Sequence, residues 1–199
     1  MAPTGFGDAR CHSGGETMAR IHILGASGSG TSTLGAAVAE ALDVPHLDTD
    51  DFYWLKTEPP FTSPRAREER IALLLERMEG RDSWVLSGSA TGWGQPLEPL
   101  YQLIVFCVLD PGIRMSRLRA REVQRYGERI ARGGDRAAAH AEFLDWATRY
   151  DTAGLEQRSQ TTHEAWLATQ PSPILRLDTA GRVADLARQV IAAAAAVRQ

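Results

Sequence analysis

The 199-residue sequence predicts an α/β fold: a doubly wound parallel sheet with helices on both faces. Three observations predict it. Short apolar runs recur at residues 21–24, 45–48, 84–87, 103–109 and 174–177, and several are apolar almost without interruption, as strands covered on both faces must be. Helix-length segments separate them, so strands and helices alternate. The first run leads straight into a glycine-rich turn, "GASGSGTSTLG" at 25–35, the kind of junction where such folds bind ligands.

Each element has its own justification. The segment 31–42 is rich in alanine, and 65–78 carries Leu73, Leu74 and Leu75. Pro111 opens the segment 111–126, where its missing N–H costs little in a first helical turn. Residues 135–168 read as helix with a break near 151–154, and 184–197 ends on a run of alanines. The first seventeen residues are polar and glycine-rich without periodicity, which predicts a disordered leader and makes Met18 an alternative start. Residues 18–199 are then expected to form one domain.

Composition excludes several classes. A formal net charge of -3 gives no general nucleic-acid field. No apolar run approaches the roughly 18 residues a membrane helix needs, and the N-terminus lacks a signal-peptide core. Cys11 and Cys107 are too few for a disulfide framework, and Cys107 in "LIVFCVL" reads as a small buried hydrophobe. His46, His140 and His163 show no metal-ligand spacing. A cytoplasmic protein, monomeric or homodimeric, without nucleic-acid or membrane partners, is expected.

The turn has the outline Gly-x-x-x-x-Gly-Lys-Ser/Thr, in which glycines let successive backbone N–H groups converge on phosphate at a helix N-terminus. Gly25, Gly28 and Gly30 are placed for this, with Ala26, Ser27 and Ser29 between them. Ser32 falls where a hydroxyl would ligate Mg²⁺, and Thr33 adds a second hydroxyl. Thr31 stands where the lysine is expected. A nicotinamide-cofactor turn of the short-chain dehydrogenase kind would need glycine at Ser29 and Thr31 and a Tyr-x-x-x-Lys pair, whereas Lys56 is the sole lysine and follows Tyr53 by three residues.

On this loop and its flanks the chain resembles the P-loop kinase group that includes adenylate, shikimate and uridine kinases. The resemblance implies a three-layer P-loop NTPase fold, a five-stranded parallel sheet in the order 2-3-1-4-5, and a helical lid at about 114–135. It implies ATP and Mg²⁺ as cofactors, held by Gly25 to Thr33, with Ser32 on the metal. In that group the lysine bridges the β- and γ-phosphates, so Thr31 bears on the rate of transfer.

"DPGIRMSRLRAREVQRYGERIARGGD" brings an arginine strip. At about 100° per residue, Arg114, Arg117, Arg121 and Arg125 fall within about 80° of one another, while Arg119 points elsewhere. The strip reads as a solvated face or as a polyphosphate clamp. In the resembled group the segment is the lid, Arg117 and Arg121 match it best, and Arg129 and Arg132 would join on closure. These arginines are expected to take over the absent lysine's charge.

"HLDTDDFYW" puts Asp48, Asp50 and Asp51 at the end of the second strand, where Asp48 and Asp50 would share one face of an extended chain. Carboxylates beside a phosphate loop can hold Mg²⁺ through water and accept a proton from an attacking hydroxyl. "DDFY" is similar to the uridine-type segment and Asp-x-Asp to that of shikimate kinase. Asp50 is the expected base and Asp48 the metal's partner, with Asp51 a competitor and Tyr53 a stacking surface for substrate. Ser87 and Gly88, ending the third strand, are expected over the acceptor. Asp110 reads as a helix start, Arg65, Arg67 and Arg70 as surface or acceptor contacts, and 178–180 as base contacts. The expected function is phosphoryl transfer from ATP to a small nucleoside-like or polar hydroxyl acceptor. A nucleoside monophosphate kinase and a non-catalytic nucleotide-binding module are the alternatives.

Overall fold

The computed structural model describes residues 18–197, so the expected leader and Cys11 lie outside the described residues. Five parallel strands, β1 (Arg20–Gly25), β2 (His46–Asp48), β3 (Trp84–Ser87), β4 (Leu103–Val108) and β5 (Ile174–Asp178), form one sheet. Their order is β2-β3-β1-β4-β5, as the resemblance implies. Among the described residues seven α-helices connect and cover them: α1 (Thr31–Leu42), α2 (Thr49–Tyr53), α3 (Arg67–Met78), α4 (Pro111–Tyr126), α5 (Ala137–Thr148), α6 (Gln160–Leu167) and α7 (Val183–Ala196).

The sheet is covered on both faces. On one, Ile21, Ile23, Val85, Val105 and Cys107 meet Leu34 and Val38 of α1 and Leu186 and Val190 of α7. Burial pushes the Cys107 thiol up to about 12, so it is held protonated as a packing group. On the other, Leu24, Leu86, Ile104 and Phe106 meet Leu74 and Met78 of α3 and Leu167 of α6. A smaller cluster, Met115, Leu118 and Ala147, joins α4 to α5. None of the helices among the described residues is long and apolar enough to cross a membrane.

Three local features differ from the sequence reading. Residues 49–53 are helical rather than extended, because Asp48 is an N-cap whose Oδ1 accepts from the Asp50 N–H at 3.0 Å. Asp50 and Asp51 then occupy the first turn, where acidic groups favour the helix dipole. A 3₁₀ segment, Gln95–Leu100, forms despite two prolines. The expected break in 135–168 is wider, spanning a 3₁₀ turn and a loop from Arg149 to the capping box of Ser159 and Thr162.

Two buried imidazoles set an acid limit on stability. Burial lowers His22 to about 4 and His163 to about 3. Both stay neutral in the fold but take up a proton near pH 6.5 once unfolded. Their contribution to stability is therefore full above about pH 6.5 and falls by about 1.4 kcal/mol per pH unit for each imidazole, down to about pH 4 for His22 and about pH 3 for His163. Urea unfolding at pH 7 and pH 5 should show this slope, and His22→Phe should remove one group's share. An unchanged slope in the variant would place the acid lability elsewhere.

Candidate functional site

The phosphate-type loop begins where β1 runs out against β4. A Cβ on Gly25 would stand 2.7 Å from the Cys107 carbonyl oxygen, so only glycine allows the approach. Gly28 and Gly30 take φ of 85° and 89°, the left-handed region that glycine enters without cost. Gly30 caps α1 with no side-chain hydrogen bond, leaving the helix's first N–H groups directed into the loop. Ser29 is fully buried: its Oγ donates to Ala26 at 2.8 Å, and its carbonyl accepts from Thr179 Oγ1 at 2.7 Å. The loop is thus braced from inside by its own serine and by the chain after β5. Thr31 is half-buried, while Ser32 and Thr33 are exposed at the first turn of α1.

The loop opens onto a cavity of about 590 Å³. Its walls include Gly25, Ala26, Ser27, Gly28, Thr31 and Ser32 on one side, and Asp48, Asp50, Tyr53 and Gly88 on the other. Arg121, Arg125, Arg136 and Arg158 supply the cations, and Trp54, Phe61, Trp93, Tyr126, Phe143 and Trp146 most of the aromatic surface. Asp51, Ser87 and Arg117 lie outside these walls.

Asp48 is held from two directions, since its Oδ2 also accepts from Ser87 Oγ at 3.2 Å. With that proton committed, Ser87 accepts from His46 Nε2 at 2.9 Å. Burial lowers the His46 pKa, against the pull of Asp48 and Asp51. Asp50 is exposed at the cavity, yet the neighbouring walls partly desolvate its carboxylate. Burial first and Asp48 second raise its pKa, and Arg158 and Arg121 oppose the rise. Gly88, at φ 93°, lies against Thr49 so closely that any side chain there would collide with the threonine hydroxyl.

The arginines of α4 divide. Arg114 is 1% exposed; it pairs with Asp151 at 2.5 Å and donates to the carbonyls of Ala147 at 3.0 Å and Ser27 at 3.4 Å. Arg117 reaches the Thr179 carbonyl at 3.4 Å, beside Gly30. Arg121 faces the cavity and shares Glu122 with Arg125, at 3.2 and 3.7 Å. Arg119 is exposed. Arg129 ties the expected lid to the loop after α2, pairing with Glu58 and Asp135 at 2.7 Å each. Asp110 caps α4, accepting from the Ile113 N–H at 3.0 Å.

Arg65 and Arg67 donate to the carbonyls of Phe52 and Trp93, and Arg70 lies 3.7 Å over the Tyr53 ring. All three brace the aromatic wall.

Several groups at the site carry little local signal in the sequence. Arg158 donates to Ser27 Oγ at 2.7 Å and lies 4.7 Å over the Trp146 ring. Ser89 leads inward to His163 Nε2 at 3.2 Å, whose Nδ1 meets Tyr150 Oη at 2.8 Å. The one signal for Arg158 is the Ser159-x-x-Thr162 cap, which puts it just ahead of a helix start.

No protein-family model matches the chain. It is 46% identical over 158 residues, 79% of its length and 87% of the other's, to the uncharacterized protein YqaC of Bacillus subtilis (strain 168). Among solved structures it is similar to a gluconokinase from Sinorhizobium meliloti 1021, with a TM-score of 0.53 and 20% identity over 91% of this chain and 94% of that one. It is also similar to a shikimate kinase from Acinetobacter baumannii, with a TM-score of 0.51 and 16% identity over 88% and 92% of the two chains. A shikimate kinase from Bacteroides thetaiotaomicron gives a TM-score of 0.51 and 22% identity over 88% and 97%. At these identities the fold is what is shared.

Proposed function

The chain belongs to the family of YqaC, and from its cavity we propose that it is an ATP- and Mg²⁺-dependent kinase acting on the hydroxyl of a small nucleoside-like or polar metabolite. One observation carries this reading: a glycine-rich loop at a helix start without a side-chain cap and a carboxylate of raised pKa, Asp50, line the same cavity. The first binds phosphate and the second accepts a proton, the two ends of a phosphoryl transfer. The acceptor oxygen bonds to the γ-phosphorus as the bond to ADP breaks, and the hydroxyl proton passes to Asp50.

The residues present fit the implied groups. The positive-φ glycines leave room for phosphate oxygens beside the backbone N–H groups. Mg²⁺ keeps water and phosphate oxygens as ligands, so it asks few side chains of the protein. Ser32 and Asp48 would hold it, and bound Mg²⁺ neutralises phosphate charge. Arg117, between Gly30 and Thr179, would face the nucleotide, and Arg121 the transferred group. Tyr53, Trp54 and Trp93 offer flat surfaces to an acceptor ring.

The engagement of Arg65, Arg67 and Arg70 within the protein favours a hydroxyl acceptor over a monophosphate. Solved proteins named as kinases of small molecules share the fold and lend support at that level. Cytoplasmic location and a monomeric or homodimeric state belong to the same reading.

The test is ADP release from Mg²⁺·ATP against a panel of nucleosides, nucleotides, sugar acids and other hydroxylated metabolites, with Arg121→Ala in parallel. Acceptor-dependent release that drops in the variant is expected. Tight ATP binding with no acceptor-dependent release would replace the kinase with a binding module.

A further inference from the structure

Thr31 leaves the loop without the cation that normally answers the charge of bound triphosphate, and Lys56, the sole lysine, is exposed and outside the cavity. We propose that Arg158, reaching across from the loop before α6, supplies that charge at the phosphate loop. The inference rests on the kinase reading above.

The neighbouring arginines already answer other groups in part or stand away from Ser27. Arg114 is locked to Asp151 behind the loop. Arg121 and Arg125 divide the charge of Glu122. Arg117 stands at the Thr179 side, outside the cavity walls. Among the described residues, Arg136 and Arg158 line the cavity without an ion pair. Arg136 lies 5.2 Å over Tyr126, toward the lid. Arg158 alone of the two holds the loop, through Ser27 Oγ at 2.7 Å.

Arg158 has capacity to spare. A guanidinium carries five N–H donors, and the Nε of Arg158 is buried with no hydrogen-bond partner. Arg158 is half-buried; the walls around it partly desolvate its charge, which meets the field of Asp50 and, after it, of Tyr150 and Tyr53. A half-buried cation with no ion pair keeps an uncompensated desolvation cost, and an anion entering the cavity relieves it. The Trp146 face fixes the guanidinium plane. A phosphate arriving at Ser27 therefore meets a guanidinium that is already oriented and holds no ion pair.

The experiment is calorimetric titration of Mg²⁺·ATP and Mg²⁺·ADP into the full chain and into Arg158→Gln, Thr31→Lys and the double variant, with melting temperatures recorded for each. Arg158→Gln should weaken ATP about 10- to 100-fold, the worth of a charged hydrogen bond, with little effect on ADP. Thr31→Lys should restore ATP binding in the Arg158→Gln chain but gain little in the intact one, where the two cations compete for one phosphate. An unchanged ATP-to-ADP preference in a folded Arg158→Gln chain would overturn the proposal. So would a full gain from Thr31→Lys in the intact chain, which tests the idea even if Arg158→Gln does not fold. Failure of the unaltered chain to bind ATP would instead overturn the kinase reading itself.

Discussion

Replacing Asp50 by asparagine is expected to lower acceptor-dependent turnover by about 10²- to 10⁴-fold, the usual worth of a positioned proton acceptor, while Mg²⁺·ATP still binds. The amide keeps the shape and loses the basic oxygen pair. The pH profile makes the test specific. Burial and Asp48 raise the Asp50 pKa, and only the ionised form accepts a proton. Turnover should therefore fall as pH drops through a value above that of a free aspartate. Arg121 is one of the two cations holding that value down, so Arg121→Ala should move the acid limb to higher pH. Measuring kcat/KM against pH for the three proteins separates the outcomes. An acid limb that survives unchanged in Asp50→Asn would assign the base to another group, with Asp51 the next to test.

Much of the fold was legible because it is written in short-range terms. The bounds of α4 follow from Asp110 and Pro111 at its start, and α1 follows from the glycine loop before it. The strands announce themselves as apolar runs needing cover on both sides. The helix α2 was not legible: five residues carry no period, and its existence depends on one capping bond from Asp48. The site was legible only where its residues are adjacent in sequence. The loop and the acidic cluster can be read, but Arg158 and Ser27 are 131 positions apart, and nothing local marks their meeting. Ser87 likewise appears as a strand end, while its place between His46 and Asp48 depends on the register of β2 beside β3. Angular arithmetic put Arg114 on one stripe with Arg117 and Arg121. It gave a direction, but not the neighbour that buries Arg114.

That neighbour carries the second large effect. Asp151→Asn is expected to cost about 3 kcal/mol, at the low end of the range for breaking a buried pair because the Asp151 side chain is 27% exposed and water reaches it. The loss comes from leaving the Arg114 guanidinium charged and enclosed, with one of its nitrogens facing a neutral amide. For a chain of this size the melting temperature should fall by about 6–12 °C. ATP binding should weaken as well, since the same guanidinium donates to Ala147 in α5 and to Ser27 in the phosphate loop. Adding Arg114→Met discriminates the cause. If the penalty is an uncompensated charge, the double variant should be at least as stable as Asp151→Asn alone, because the charge that lost its partner is gone. If the penalty is instead the lost hydrogen bonds of Arg114 to α5 and the loop, the double variant should melt lower still. The order of the two melting temperatures therefore reads whether this junction of loop, α4 and α5 is held chiefly by its ion pair or by its carbonyl contacts.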